Sequence, residues 1–182
     1  AIILGEKLGI SPKNIQKSFD KLVSIPGRME FIPNKLGLQI IVDYAHEPVS
    51  LKELLQTAQD FTPKNNKIIL LLGAEGGGRD PAKRAPMGDL ANKYADFAIV
   101  TNVDPYQDDP QIIANDIAVR IDKNKLYLIL DRQEAVKKAV SLGQKGDTIL
   151  ITGKGAEQSL TINGQKIPWD DRKVVKGVLN SV

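Results

Sequence analysis

Five short apolar runs, each followed by a turn and then an amphipathic stretch, constrain this chain more than any other feature of its sequence. The runs fall at 38–43, 67–73, 97–101, 126–130 and 147–152. Helical spacing predicts helices between them, near 48–60, 86–95, 110–121 and 132–142. A run such as Ile68-Ile69-Leu70-Leu71-Leu72 is apolar without alternation, so both faces of that strand must be buried. Strand–helix alternation of this kind implies an α/β fold, a parallel sheet covered by helices on both faces. Asp109 and Asp131 stand where helix N-caps are needed, while Gly143 and Gly146 interrupt the chain before the last run.

The two ends depart from this rhythm. Ser11-Pro12 can act as N-cap and first helical residue, after which Ile15, Phe19 and Leu22 recur at helical spacing. The first residues read as the middle of a helix, with no initiating Met, so the chain is expected to be cut from something longer. The stretch "SIPGRMEFIPNKLG" is rich in Gly and Pro and reads as a linker between bodies. In the tail, Asn163-Gly164 between Thr161-Ile162 and Lys166-Ile167 predicts a type I′ hairpin, followed by a closing helix near 170–180.

Composition removes several function classes. The 182 residues suffice for one domain with a proper core, or one domain plus a remnant. A net charge of +3, scattered along the chain, argues against nucleic acid or a membrane surface as partner. The absence of cysteine excludes disulfides, thiolate metal sites and cysteine nucleophiles, and fits a reducing cytoplasm. No apolar stretch approaches the roughly 18 residues needed to span a bilayer, and the opening residues lack the basic start of a signal peptide.

In an open parallel sheet, ligands sit beyond the carboxyl ends of the strands. Four unusual groups fall there: 43–48, 73–84, 101–110 and 153–157. Asp43, Tyr44 and the single histidine, His46, follow the first run. "GAEGGGRDPAKR" follows the second; its glycines let backbone amides approach an anion, and Arg79 can pair with a carboxylate or phosphate. It is not a Walker loop, and a flexible surface loop with solvated cations is the plain alternative. In "TNVDPYQDDP", Asp108 and Asp109 suit a turn and a cap, leaving Asp104 and Tyr106 to face a ligand; metal ligation from this loop is not expected. "TGKGAEQ" supplies Gly153, Lys154, Gly155 and Glu157, although a plain turn accounts for Gly-x-Gly equally well. With one His, no Cys and no obvious Ser elbow, a nucleophilic triad is not expected.

Taken in order, "PGRME", "VDYAHEP", "GGGRDPAKRAPMG", "ADFAIVTNVDP", "DDPQIIANDI", "DRQEAV", "GDTILITGKGAE" and "DDR" resemble the Mur ligases, most of all the UDP-N-acetylmuramoyl-tripeptide synthetases. The likeness runs from residue 26 to 182. It implies a Rossmann-like, mostly parallel C-terminal domain over residues 33–182, preceded in 1–32 by the last helices of the central ATP-binding domain. It also implies an ATP-dependent acid–amino acid ligase of peptidoglycan synthesis in the cytoplasm. Such enzymes convert a UDP-N-acetylmuramoyl-peptide carboxylate to an acyl phosphate, which the amine of a free amino acid attacks. The phosphate loop and the magnesium ligands of the family belong to the central domain, which matches no segment here, so this fragment alone is expected to be inactive.

By the same resemblance, Arg28, Asp43, Tyr44 and His46 would line the ATP cleft. Arg79, Asp104, Tyr106, Gly153 and Glu157 would bind the amino acid, with none of them a catalytic residue or a metal ligand. Tyr106 stands where the family's diaminopimelate enzymes carry Arg, and Ala156 where His is usual, which removes the bidentate partner of a distal carboxylate. Asp104 would then suit a cationic side chain such as that of lysine. Two alternatives compete: a folylpolyglutamate synthase-like ligase domain, and a non-catalytic module that binds an amino acid or nucleotide.

Overall fold

A computed structural model describes residues 2–21 and 24–181. Its centre is a six-stranded sheet in the order β1-β2-β6-β3-β4-β5. The strands are β1 (Glu30–Ile32), β2 (Gln39–Asp43), β3 (Ile68–Leu72), β4 (Phe97–Val100), β5 (Leu126–Leu128) and β6 (Thr148–Thr152). All neighbours pair in parallel except β1, which runs antiparallel along the edge with Phe31 opposite Ile41. Every residue of β3 and of β6 is buried, as the apolar run of β3 and the Ile149-Leu150-Ile151 centre of β6 require.

The helices divide by face. Leu51, Leu54 and Leu55 of α3 (Pro48–Phe61), Met87 and Ala91 of α4 (Arg84–Tyr94), and Ile113 and Ile117 of α5 (Pro110–Ala118) pack on one side with Ile41, Leu70 and Leu150. Ala135, Val136 and Ala139 of α6 (Arg132–Leu142) and Val175 of α7 (Asp171–Leu179) pack on the other with Ile40, Ile69, Leu71 and Ile151. Alternate residues of one strand thus feed two separate cores. The predicted N-caps form: the side chains of Asp109 and Asp131 accept from Gln111 N and Glu134 N. The α4 helix begins two residues before its predicted start, because Asp80 caps a short 3-10 turn at Pro81–Lys83 that runs straight into it.

The Gly- and Pro-rich stretch behaves differently from a free linker. Residues 30–32 form β1, so the sheet starts upstream of the division at 32/33 expected from the sequence. The strand is three residues long and abuts Pro33, which explains why no periodicity betrayed it. Further upstream, α1 (Ile2–Lys7) and α2 (Pro12–Phe19) pack on each other, and Ser11 caps α2 as its sequence predicts. Leu22, expected to continue that apolar stripe, lies outside the described residues.

The predicted hairpin is present as β7 (Ser159–Ile162) and β8 (Gln165–Pro168). Asn163 and Gly164 both have positive φ, 51° and 72°, as a type I′ turn demands. No helix among the described residues is long and apolar enough to cross a membrane.

Sheet order positions the candidate site. β6 inserts between β2 and β3, so the carboxyl ends of β2, β6, β3 and β4 lie side by side. Adjacent strands are about 4.8 Å apart, and the loops that leave them therefore share one rim.

Candidate functional site at the carboxyl rim of the sheet

Three segments interlock at one end of the rim. Asp43, the last residue of β2, accepts from Met29 N through Oδ2 and from Ala45 N through Oδ1, both at 2.8 Å. Its carboxylate thereby ties the 26–29 turn to the loop after β2, with Met29 in the left-handed region at φ 45°. The same turn is pressed against the loop after β6. A Cβ on Gly27 would fall 2.0 Å from Ala156 N, and one on Gly155 would fall 2.8 Å from Gly27 O and from Tyr44 Cβ. Both positions also have positive φ, so glycine is required twice over.

Tyr44 stands at the middle of this junction. The Arg28 guanidinium lies 4.7 Å from the centroid of its ring, and the His46 ring meets it edge-on at 4.6 Å. Its hydroxyl donates to Glu157 Oε1 at 3.2 Å. Burial, followed by the charge of Glu157 and this hydrogen bond, raises the Tyr44 pKa, so the phenol stays protonated and donating through the neutral range. His46 Nδ1 is 2.8 Å from the Tyr44 carbonyl, which can only accept; the proton is on Nδ1. Pro26, Gly27, Arg28, Tyr44, Ala156 and Glu157 line an open cavity of about 300 Å³.

A second cluster continues from Glu157. Lys154 is buried, with 1% of its side chain exposed, and its ammonium pairs with Asp104 Oδ2 at 2.6 Å and with Glu157. Asp104 Oδ1 accepts Thr161 N of β7 at 2.6 Å. Asp104, expected to face a ligand, turns its carboxylate onto a lysine and a backbone amide. Two carboxylates and one ammonium leave this cluster with one net negative charge, carried outward by Glu157, whose side chain is 41% exposed.

The β7–β8 hairpin holds the loop after β4. Tyr106 N donates to Thr161 O, and Gly164 N donates to Tyr106 O. Asp104 and Tyr106 are both left-handed, at φ 41° and 56°, an arrangement these contacts must sustain. The Tyr106 ring covers Gly77, where an added Cβ would lie 2.8 Å from the ring. Gly76 N donates to Asp104 O, and Gly77 N to Asp108 Oδ2, both at 3.0 Å. The glycine-rich loop thus leans on the loop after β4, and Arg79 at its tip is exposed, with no side-chain hydrogen bond or ion pair among the described residues.

Buried cations hold these loops from beneath. Lys83 Nζ bridges Glu47 (2.7 Å) and Glu75 (2.6 Å), joining the loops after β2 and β3. Burial by itself would lower the Lys83 pKa, but the two carboxylates outweigh it and the net shift is upward. Arg132 donates to Asp171, to Asn102 O and to Thr152 O, joining the ends of β4 and β6 to α7.

The rim thus gathers Arg28, Asp43, Tyr44, His46 and Glu157 directly. Gly153 and Asp104 join through Lys154, and Tyr106 joins through Gly77. Arg79 shares the glycine-rich loop with Gly77, and among the described residues its side chain makes no hydrogen bond or ion pair to the others. Lys154 stood in the candidate loop "TGKGAEQ", but its sequence position, a lysine between two glycines after a strand, assigned it no role.

Comparison with known proteins adds to this geometry. The profile described as "Mur ligase, glutamate ligase domain" matches residues 27–155. UDP-N-acetylmuramoyl-L-alanyl-D-glutamate--2,6-diaminopimelate ligase of Clostridium tetani is 38% identical over 176 residues, which cover 96% of this chain and 36% of that protein. A solved structure of a ligase with the same printed name superposes with a TM-score of 0.79 at 32% identity, covering 100% of this chain and 37% of the other. Mycobacterium tuberculosis folylpolyglutamate synthase, complexed with ADP and AMPPCP, shares the fold at a TM-score of 0.59 and 19% identity, over 79% of this chain and 32% of its own. The chain spans little more than a third of the length of the curated relatives it matches.

Proposed function

We propose, because this chain belongs to the Mur ligase family, that it is the amino-acid-binding and ATP-cleft-closing part of an ATP-dependent ligase of peptidoglycan synthesis. The reaction joins a free amino acid to a UDP-N-acetylmuramoyl-peptide through an acyl phosphate. The observation that carries this reading is the continuous chain of contacts along the rim, from Arg28 over Tyr44 to Glu157 and Lys154. The Arg28 guanidinium and the Tyr44 ring stand beside a partly exposed carboxylate that can receive an ammonium group, which supports the reading. A folylpolyglutamate synthase shares the fold, but the 38% identity lies with the muramoyl-peptide ligases.

The roles follow from the contacts. The Arg28 guanidinium and the Tyr44 ring offer a π face and a positive charge to the adenosine of ATP, with Asp43 and His46 holding that wall in place. Arg79, exposed and uncommitted among the described residues, takes the α-carboxylate of the incoming amino acid. Glu157 takes an ammonium group, beside the Gly153 backbone. Asp104 serves indirectly, by holding Lys154. Tyr106 packs on Gly77 and offers no guanidinium to a distal carboxylate, which favours lysine over 2,6-diaminopimelate, the substrate printed in the relatives' names.

Residues of this chain position reactants; phosphoryl transfer needs more. No three His, Cys, Asp or Glu side chains gather among the described residues, and the magnesium that accompanies ATP would be held mainly elsewhere. It is assigned, with the phosphate loop and the UDP-sugar site, to the rest of a full-length enzyme, to whose central domain α1 and α2 would belong. Calorimetric titration of that enzyme should show preference for L-lysine over meso-diaminopimelate, and the reverse preference would rule lysine out. The 182 residues alone should form no amide from ATP, peptide and amino acid; turnover by them would refute the division of labour.

A further inference from the structure

Lys154 is almost wholly enclosed, with 1% of its side chain exposed, and neither ATP nor the amino acid is assigned to it above. A buried ion pair is a poor stabiliser, since apolar side chains of similar volume commonly do as well. This one joins two carboxylates of different standing: Asp104, turned inward onto Thr161 N, and Glu157, which is 41% exposed at the cavity. We propose that Lys154 is a positioning and specificity-determining residue: it cancels the charge of Asp104 and orients Glu157, so that one carboxylate receives the ammonium group of the amino acid.

The geometry supplies the reason. Glu157 has one oxygen on the Tyr44 hydroxyl and the other on Lys154, and these two contacts fix the plane of a side chain that solvent would otherwise disorder. The lysine is enclosed, so its ammonium stays on the two carboxylates rather than in solvent. With Lys154 neutral and both carboxylates ionised, the cluster would carry two negative charges, one of them enclosed and unpaired. The inference rests on the amino-acid site proposed above, and its test separates the two.

The test is steady-state kinetics on the full-length enzyme, with Lys154→Met, with K154M/D104N, and with the amide pair K154Q/D104N in case the apolar double variant fails to fold. Lys154→Met alone should lose thermal stability, because Asp104 is left buried without its counter-ion. The double variants remove both charges and keep an acceptor for Thr161 N, so the melting temperature should return to within a few degrees of wild type. The amino-acid KM should nevertheless rise about tenfold or more while the ATP KM stays within about twofold. Recovery of the amino-acid KM together with stability would overturn the proposal, as would a parallel rise in both KM values; Lys154 would then be only a structural counter-ion. A wild-type enzyme that couples no amino acid would instead sink the functional reading itself.

Discussion

Replacing Arg132 by methionine should weaken the whole rim, and the expected size follows from its surroundings. Arg132 and Asp171 are both 0% exposed, joined by Nε to Oδ1 at 2.8 Å and by Nη2 to Oδ2 at 2.7 Å. The same guanidinium donates to Thr152 O at 2.8 Å and to Asn102 O at 3.1 Å. Methionine matches the stem but leaves the Asp171 carboxylate with Trp169 Nε1 as its remaining side-chain donor, at 2.7 Å. Breaking a buried pair by removing one partner costs about 3–5 kcal/mol. Against a total stability on the order of 5–15 kcal/mol this is a large loss. At roughly 2–4 °C per kcal/mol for a chain of this length, the melting temperature should fall by about 6–20 °C.

Asp171→Asn should cost a similar amount, since it strands the guanidinium instead. The double variant R132M/D171L removes both charges and should cost clearly less than the sum of the two single changes. Urea unfolding followed by far-UV circular dichroism measures all three on one scale. Single variants within about 1 kcal/mol of wild type, or effects that simply add, would show that the pair is not an enclosed, coupled unit.

Two further outcomes are expected of the chain. Gly27→Ala should lower the melting temperature by a cost of about 1–3 kcal/mol, because its Cβ would sit 2.0 Å from Ala156 N at a φ of +65°; an unchanged melting temperature would show that the 26–29 turn is not seated on the loop after β6. Stability should be flat from pH 7 to pH 5 and fall below about pH 4. Burial would raise the Asp147 pKa, but the Lys67 and Gln144 amides and the Asn66 side chain outweigh it and hold it low; the Arg172 hydrogen bond, chiefly, does the same for Asp170. Both carboxylates have folded-state pKa values below their unfolded ones. Their contribution is therefore present above the unfolded values and lost as pH falls through the folded ones. Urea midpoints measured across this range should depend less on pH in Asp147→Asn.

Much of the fold was readable as local pattern. The five apolar runs became β2, β3, β4, β5 and β6 with ends shifted by two residues at most, and Asn163-Gly164 became the turn between β7 and β8. The edge strand β1 was not readable, because three residues hemmed by Pro26 and Pro33 carry no period, and their partner is β2. The site was half readable. Its motifs fell at strand ends, which located the rim, but the hydrogen bond from Tyr44 to Glu157 spans 113 positions and the ion pair from Lys154 to Asp104 spans 50. No local pattern could say that Asp104 would be spent on a lysine.

Residue order by itself determined which segments are strands, which are helices and which turns carry unusual side chains, because periodicity, capping and turn chemistry act within a few residues. The tertiary structure alone decided that β6 lies between β2 and β3. That insertion brings "GKGAE" against "PGRME" and "DYAH", turns Asp104 inward and leaves Glu157 facing out. Strand order and charge pairing are settled by contacts between distant segments, whose free energy exists only once the sheet has closed around them.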